Sequence, residues 1–281
     1  MRLVRYSDAG REKPGILDAQ GAIRDLSSVV ADIDGSALAP DGLAKLRALK
    51  VDSLPKVSGS PRLGPPLAMP SKLVAIGLNY SDHAKEANQA IPSEPIIFMK
   101  ATSAICGPSD PVVLPKGSKK GDWEVELAFA MGRKAQSVSE ADALGYVAGY
   151  LICNDVSERE WQLERGPTWD KGKSFDTFAP LGPWLVTNDE IRDPQSLAMW
   201  LDLNGKRMQT GNTRTMIFSV AKLVSYISYC MSLLPGDVVT TGTPPGVGLG
   251  IKPSPVFLKS GDTMRLGIDG LGEQKQQVTG G

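Results

Sequence analysis

The chain has 281 residues, and its 31 Lys and Arg balance 31 Asp and Glu, so the formal net charge is zero. That balance offers no basic field for nucleic acid and no basic helix for a membrane surface. No apolar stretch reaches the ~20 residues needed to span a bilayer, the start Met1-Arg-Leu-Val-Arg-Tyr-Ser7 has no signal-peptide core, and Cys106, Cys153 and Cys230 lack metal-type spacing. A soluble protein in the reducing cytoplasm is expected, without a disulfide framework.

Short strands are expected first, at Leu3–Tyr6, Pro14–Leu17 and Ala22–Leu26, with a turn at Asp18–Gly21 and a short helix over Leu43–Leu49. Four prolines between Ser58 and Pro70 deny that stretch a helix and mark a linker. The chain is therefore divided near residue 70, into a small N-terminal domain with its linker (1–69) and a larger, strand-rich unit (70–281). Next comes Asn79-Tyr80-Ser-Asp82-His83-Ala-Lys-Glu86, with Ser81 or Asp82 as a candidate cap. His83, the chain's one histidine, and Glu86 are neighbours on such a helix. The helix has almost no apolar stripe, which suits a mobile lid.

The run Gly121-Asp-Trp-Glu124-Val-Glu126-Leu-Ala-Phe129 alternates as a strand does. Trp123, Val125, Leu127 and Phe129 share one face; Glu124, Glu126, Ala128 and Ala130 share the other. An exposed strand with solvated glutamates fits the pair alone. The following alanines point instead to close packing, and two adjacent carboxylates repel unless a cation or protons lie between them. Oxygen-only ligands suit Mg²⁺ or Mn²⁺. A third carboxylate, Asp155, follows the apolar strand run Tyr146–Cys153. It can cap a helix, with Glu158 completing a capping box, and serve as a ligand too. On a helix from Asp155, Arg159 and Gln162 lie toward the same side. Thr240–Gly250 is glycine-rich but has neither the Gly-Lys-Ser/Thr of a phosphate loop nor a dinucleotide fingerprint. The clearest helix runs from Ser219 to Leu234, stopped by Pro235-Gly236, with Val220, Leu223, Val224, Ile227 and Met231 at helical spacing.

Three features combine. Glu124-x-Glu126, then Asn154-Asp155-x-Ser157-x-Arg159-x-x-Gln162, then Gly172-Lys173-Ser-Phe-Asp176 resemble the fumarylacetoacetate hydrolase superfamily, over about residues 70–281. The resemblance implies an α+β, strand-rich fold, a mixed β-roll with a small N-terminal domain. It implies Glu124, Glu126 and Asp155 as ligands of Mg²⁺, with Mn²⁺ as the alternative. Asn79-Tyr80-x-x-His83-x-x-Glu86 resembles the lid of acylpyruvase-like members, in which a His–Glu dyad activates water. In that family the lysine matching Lys173 stabilises an enolate, and the match puts Thr243 at a carboxylate-binding position, with its hydroxyl and nearby amides as donors. Arg159 and Gln162 are candidates for positioning an anionic substrate. Gly166 departs from the animal enzymes, which carry tyrosine there, and this argues against fumarylacetoacetate itself.

The expected activity is metal-dependent hydrolysis of a carbon–carbon bond in a 2,4-dioxo acid, yielding pyruvate and a carboxylic acid. The surroundings of Glu164 and Arg165 are most similar to those of 2,4-diketo-3-deoxy sugar acid hydrolases, with L-rhamnonate or L-fuconate derivatives as substrates. Oxaloacetate decarboxylation and 2-hydroxyhepta-2,4-diene-1,7-dioate isomerisation use the same site and stand as alternatives. So does a catalytically silent binding protein, although such a protein has no chemical need for the full set of site residues. A homodimer is expected by analogy with short members of the family.

Overall fold

The runs read as strands assemble into two large sheets and a two-stranded ribbon in the computed structural model, which describes residues 1–281. The larger has ten strands. Its continuous path is Ile23–Asp25, Lys13–Leu17, Arg2–Tyr6, Ala179–Thr187, Val147–Asn154, Val125–Met131, Val238–Thr240, Leu73–Gly77 and Ile96–Lys100. Val238–Thr240 runs parallel to Leu73–Gly77, while its other neighbour is antiparallel, so the sheet is mixed. The second sheet has five strands, in the order Lys206–Asn212, Ala198–Leu203, Thr263–Ile268, Gly272–Gly280 and Val112–Leu114. This is the strand-rich α+β architecture expected.

Both faces of Val125–Met131 are buried, which explains why alanines follow the glutamates. One apolar cluster runs through both sheets and includes Leu3, Ile16, Leu26 and Leu46. Residues 1–69 therefore extend the large sheet through the pairing of Arg2–Tyr6 with Ala179–Thr187, and share its core.

The long helix spans Val220–Cys230, with Ser219 Oγ accepting from Lys222 N–H at 3.1 Å as its cap. Val220, Leu223, Val224 and Ile227 are fully buried, each stabilising the fold by roughly 1.5–3 kcal/mol relative to exposure. The helix ends four residues before the expected Leu234. Met231 is extended there, and Leu233 exchanges backbone hydrogen bonds with Ala135 at 2.8 and 3.0 Å. No helix is long and apolar enough to cross a membrane.

The helix expected from Asp155 begins later, at Arg159, and runs to Leu163. Ser157–Glu158 first pairs with Gly121–Asp122 as a two-residue strand. Glu158, not Asp155, is the cap, accepting from Trp161 N–H at 3.0 Å. Asp155 is thereby left to face the glutamates.

Candidate active site

Sheet pairing assembles the acidic floor. Cys153 lies opposite Glu126 in the antiparallel pair, and Asp155 N–H donates to Glu124 O at 2.9 Å. One oxygen from each of Glu124, Glu126 and Asp155 falls within 4.8 Å of the others, and all three residues are buried. Three cations surround them. Lys173 Nζ lies 2.7 Å from both Glu124 Oε2 and Asp155 Oδ2. Arg159 reaches Glu124 Oε1 at 2.7 Å, and Lys100 reaches Asp155 Oδ1 at 2.5 Å.

The glutamates differ sharply. Burial would raise the pKa of Glu124, but Lys173 and Arg159 outweigh it and hold the carboxyl well below its usual range. Burial raises that of Glu126, and the charges of Asp155 and Glu124 raise it further. Burial alone would discharge Lys173; Asp155 and Glu124 instead push its pKa up, so it stays an ammonium. That argues against a Schiff-base role, which needs the free amine.

This donor set fits a divalent cation. Glu126 accepts a hydrogen bond from Gly242 N–H at 2.9 Å and forms no ion pair with a side chain. Each oxygen of Glu124 and Asp155 that accepts one hydrogen bond keeps a second lone pair. Three clustered carboxylates with no nitrogen or sulfur donor suit a hard ion such as Mg²⁺ or Mn²⁺.

Above this floor a cavity of about 450 Å³ opens, lined by His83, Glu86, Glu124, Glu126, Arg159 and Lys173 among others. The helix Ser81–Glu86 forms one wall. Neither Ser81 nor Asp82 caps it; Tyr80 occupies the cap position without a side-chain bond. Its root is anchored, contrary to the expected lack of apolar anchors. Tyr80 and Ala84 are buried, and Asn79 bonds Phe218 and Thr241. Glu86 Oε2 lies 3.0 Å from His83 Nδ1, while its Oε1 accepts from Gly246 N–H at 2.9 Å. One carboxylate thus orients the imidazole and latches the helix to the glycine-rich segment.

Arg159 and Gln162 both line the cavity. Three guanidinium nitrogens are engaged: Nε with Asp122 (2.8 Å), one terminal nitrogen with Gln162 Oε1 (2.9 Å), and the other with Glu124. Two N–H donors remain for a ligand. Lys173 reaches the floor because Gly172 packs on Gln162; a Cβ at Gly172 would sit 2.3 Å from Gln162 N. Thr243 lines the cavity, but its hydroxyl donates to Val125 O at 2.9 Å and accepts from Gln209 at 2.8 Å. Of the donors expected here, the hydroxyl and nearby amides, the hydroxyl is thus committed within the protein.

Two residues that support the candidate site escaped the sequence reading. Lys100, 2% exposed, closes an apolar strand run and holds Asp155 and the Lys173 carbonyl. Asp122, fully buried, accepts from Arg159 Nε, Gly248 N–H (2.6 Å) and Leu249 N–H (3.0 Å). Its place directly before Trp-Glu-x-Glu was the available signal.

The fold, and an acidic floor beside a helix that carries the His83–Glu86 pair, point to the class. Residues 72–279 match the fumarylacetoacetate (FAA) hydrolase C-terminal region, and the chain belongs to that family. A Burkholderia cenocepacia relative named only as a hydrolase is 62% identical over 278 residues, covering 99% of both chains. Among solved structures, the fumarylacetoacetate hydrolase of Exiguobacterium antarcticum is 33% identical with a TM-score of 0.85, covering 100% of both chains. The maleylpyruvate hydrolase of Sphingobium sp. SYK-6, in complex with manganese(II) and pyruvate, is 31% identical with a TM-score of 0.82, again over 100% of both. The 2-hydroxyhepta-2,4-diene-1,7-dioate isomerase of Mycobacterium marinum is 33% identical with a TM-score of 0.75, covering 99% of this chain and 98% of that one.

Proposed function

We propose that this hydrolase-family chain cleaves the C3–C4 bond of a 2,4-dioxo acid of the acylpyruvate type, giving pyruvate and a carboxylic acid. The observation that carries the reading is the His83–Glu86 pair, 3.0 Å apart on the cavity that also holds the three carboxylates. Decarboxylation or isomerisation needs an enolate sink but no activated water; a dyad over that sink supplies the water. The Sphingobium neighbour with manganese(II) and pyruvate supports both the cation and the product. The match from residue 72 supports a catalytic unit at 70–281, with residues 1–69 as an attached domain.

A divalent ion on Glu124, Glu126 and Asp155 would polarise the 2-oxo group and offset developing enolate charge. His83, with Nδ1–H donated to Glu86, presents Nε2 to remove a proton from water. The water oxygen bonds to C4, the C3–C4 bond breaks, and its electron pair passes to C3 as the pyruvate enolate. Lys173 holds that charge as an ammonium until C3 is protonated. The free N–H donors of Arg159, with the amide of Gln162, hold the substrate carboxylate. Glu86 keeps the lid closed and excludes bulk water.

The test is pyruvate release from a panel of 2,4-dioxo acids, with and without Mg²⁺ or Mn²⁺. Cleavage by the wild type and collapse in His83→Ala support the reading. Decarboxylation of oxaloacetate that survives His83→Ala, with no dioxo acid cleaved, would replace it.

A further inference from the structure

The cavity separates into a charged floor and an apolar wall. Around the carboxylates stand Leu78, Ile96, Leu163, Trp169, Val247 and Leu249. Leu163 and Leu249 are 47% and 37% exposed, so both are wetted until something covers them. Trp169 is a built part of this wall. Its ring meets Phe98 edge-on at 5.5 Å and lies so close over Gly77 that a Cβ there would sit 2.3 Å from the indole. Phe98 in turn lies 5.4 Å from Lys173 Nζ, so the wall begins where the enolate charge is held.

The polar groups that pointed to a sugar-like substrate are occupied elsewhere. Glu164 pairs with Lys120, and Arg165 pairs with Glu160 while stacking on Trp161 at 4.5 Å. Neither lines the cavity. Asn88, Gln89 and Lys252 also line it, all three exposed.

Building on the acylpyruvate reading, we infer that the acyl end of the substrate is an apolar alkyl or aryl group, selected by Leu163, Leu249 and Trp169, and not a polyhydroxylated chain. The oxo acid end lies on the floor, and the group beyond C4 runs along the wall and covers the two exposed leucines. A hydroxylated tail would lose its water there without regaining hydrogen bonds.

Steady-state kcat/KM for pyruvate release tests this along the series acetyl-, butanoyl- and hexanoylpyruvate, beside benzoylpyruvate, a 2,4-dioxo-3-deoxy sugar acid and a dioxo acid with a terminal carboxylate. Transfer of each methylene from water predicts a rise of about fourfold per carbon. The sugar acid should fall at least tenfold below hexanoylpyruvate. Leu249→Asn and Leu163→Asn should flatten the hexanoyl-to-acetyl ratio toward one. A flat series in the wild type, or preference for the sugar acid or the dicarboxylate, overturns the inference while leaving the reaction standing. No pyruvate from any compound overturns the reaction and the inference together.

Discussion

Replacing Asp122 by alanine should damage stability and activity through one set of bonds. The wild-type carboxylate is fully buried and accepts from Trp123 N–H at 2.8 Å, Gly248 N–H at 2.6 Å, Leu249 N–H at 3.0 Å and Arg159 Nε at 2.8 Å. Alanine strands these donors. An unsatisfied buried donor costs about 1–3 kcal/mol, and removing one partner of a buried ion pair costs roughly 3–5 kcal/mol. Water entry and Glu124, still paired with Arg159, relieve part of this, so about 3–5 kcal/mol in total is expected. At about 2–4 °C per kcal/mol for a chain of this size, Tm should fall by roughly 6–20 °C. Catalysis should suffer separately, because Gly246 N–H, which anchors Glu86, sits two residues from the donor at Gly248. The assay pairs a thermal melt with kcat and KM measured well below the variant's Tm. Turnover should fall at least tenfold even where the protein is fully folded. A Tm within about 2 °C of wild type, with kcat unchanged, would refute this account of Asp122.

His83→Ala and Glu86→Ala should each lower kcat by about 10²–10⁴-fold, the usual worth of a general base, while calorimetric metal affinity stays near wild type; hydrolysis at the wild-type rate in either variant rules out the dyad. Glu126→Gln should lose metal binding and activity yet keep or raise the metal-free Tm, because burial and the charges of Asp155 and Glu124 already disfavour the ionised form; a melt several degrees lower contradicts that balance. Sedimentation at micromolar concentration should give a homodimer, and a monomer would remove that expectation.

Much of this site was legible because strand alternation is a local rule. Glu124, Glu126 and the apolar partners between them follow from period two alone, and Val147–Asn154 from its composition. What escaped was set by distant partners. A lysine ending an apolar strand reads as solvent-facing until Asp155, 55 positions away, is seen against it. Asp122 reads only as part of a strand run, because its partners lie 37, 126 and 127 positions along the chain. The helix start moved from Asp155 to Arg159 because Ser157–Glu158 found a strand partner at Gly121–Asp122. At Thr243 the hydroxyl is engaged by the Val125 carbonyl, 118 positions away, a bond no local pattern reveals.

The division between floor and wall bears on how such a protein can acquire new substrates. The carboxylates are fixed by strand pairing in the sheet, where a change of register would disrupt the core. Leu163, Val247 and Leu249 instead sit at the end of a short helix and in the glycine-rich segment. A mutant library confined to those three positions would sample new acyl preferences while the acid–base and metal-binding groups keep their supports. If the proposed reaction holds, drift at those sites would change which acid is accepted without rebuilding the floor.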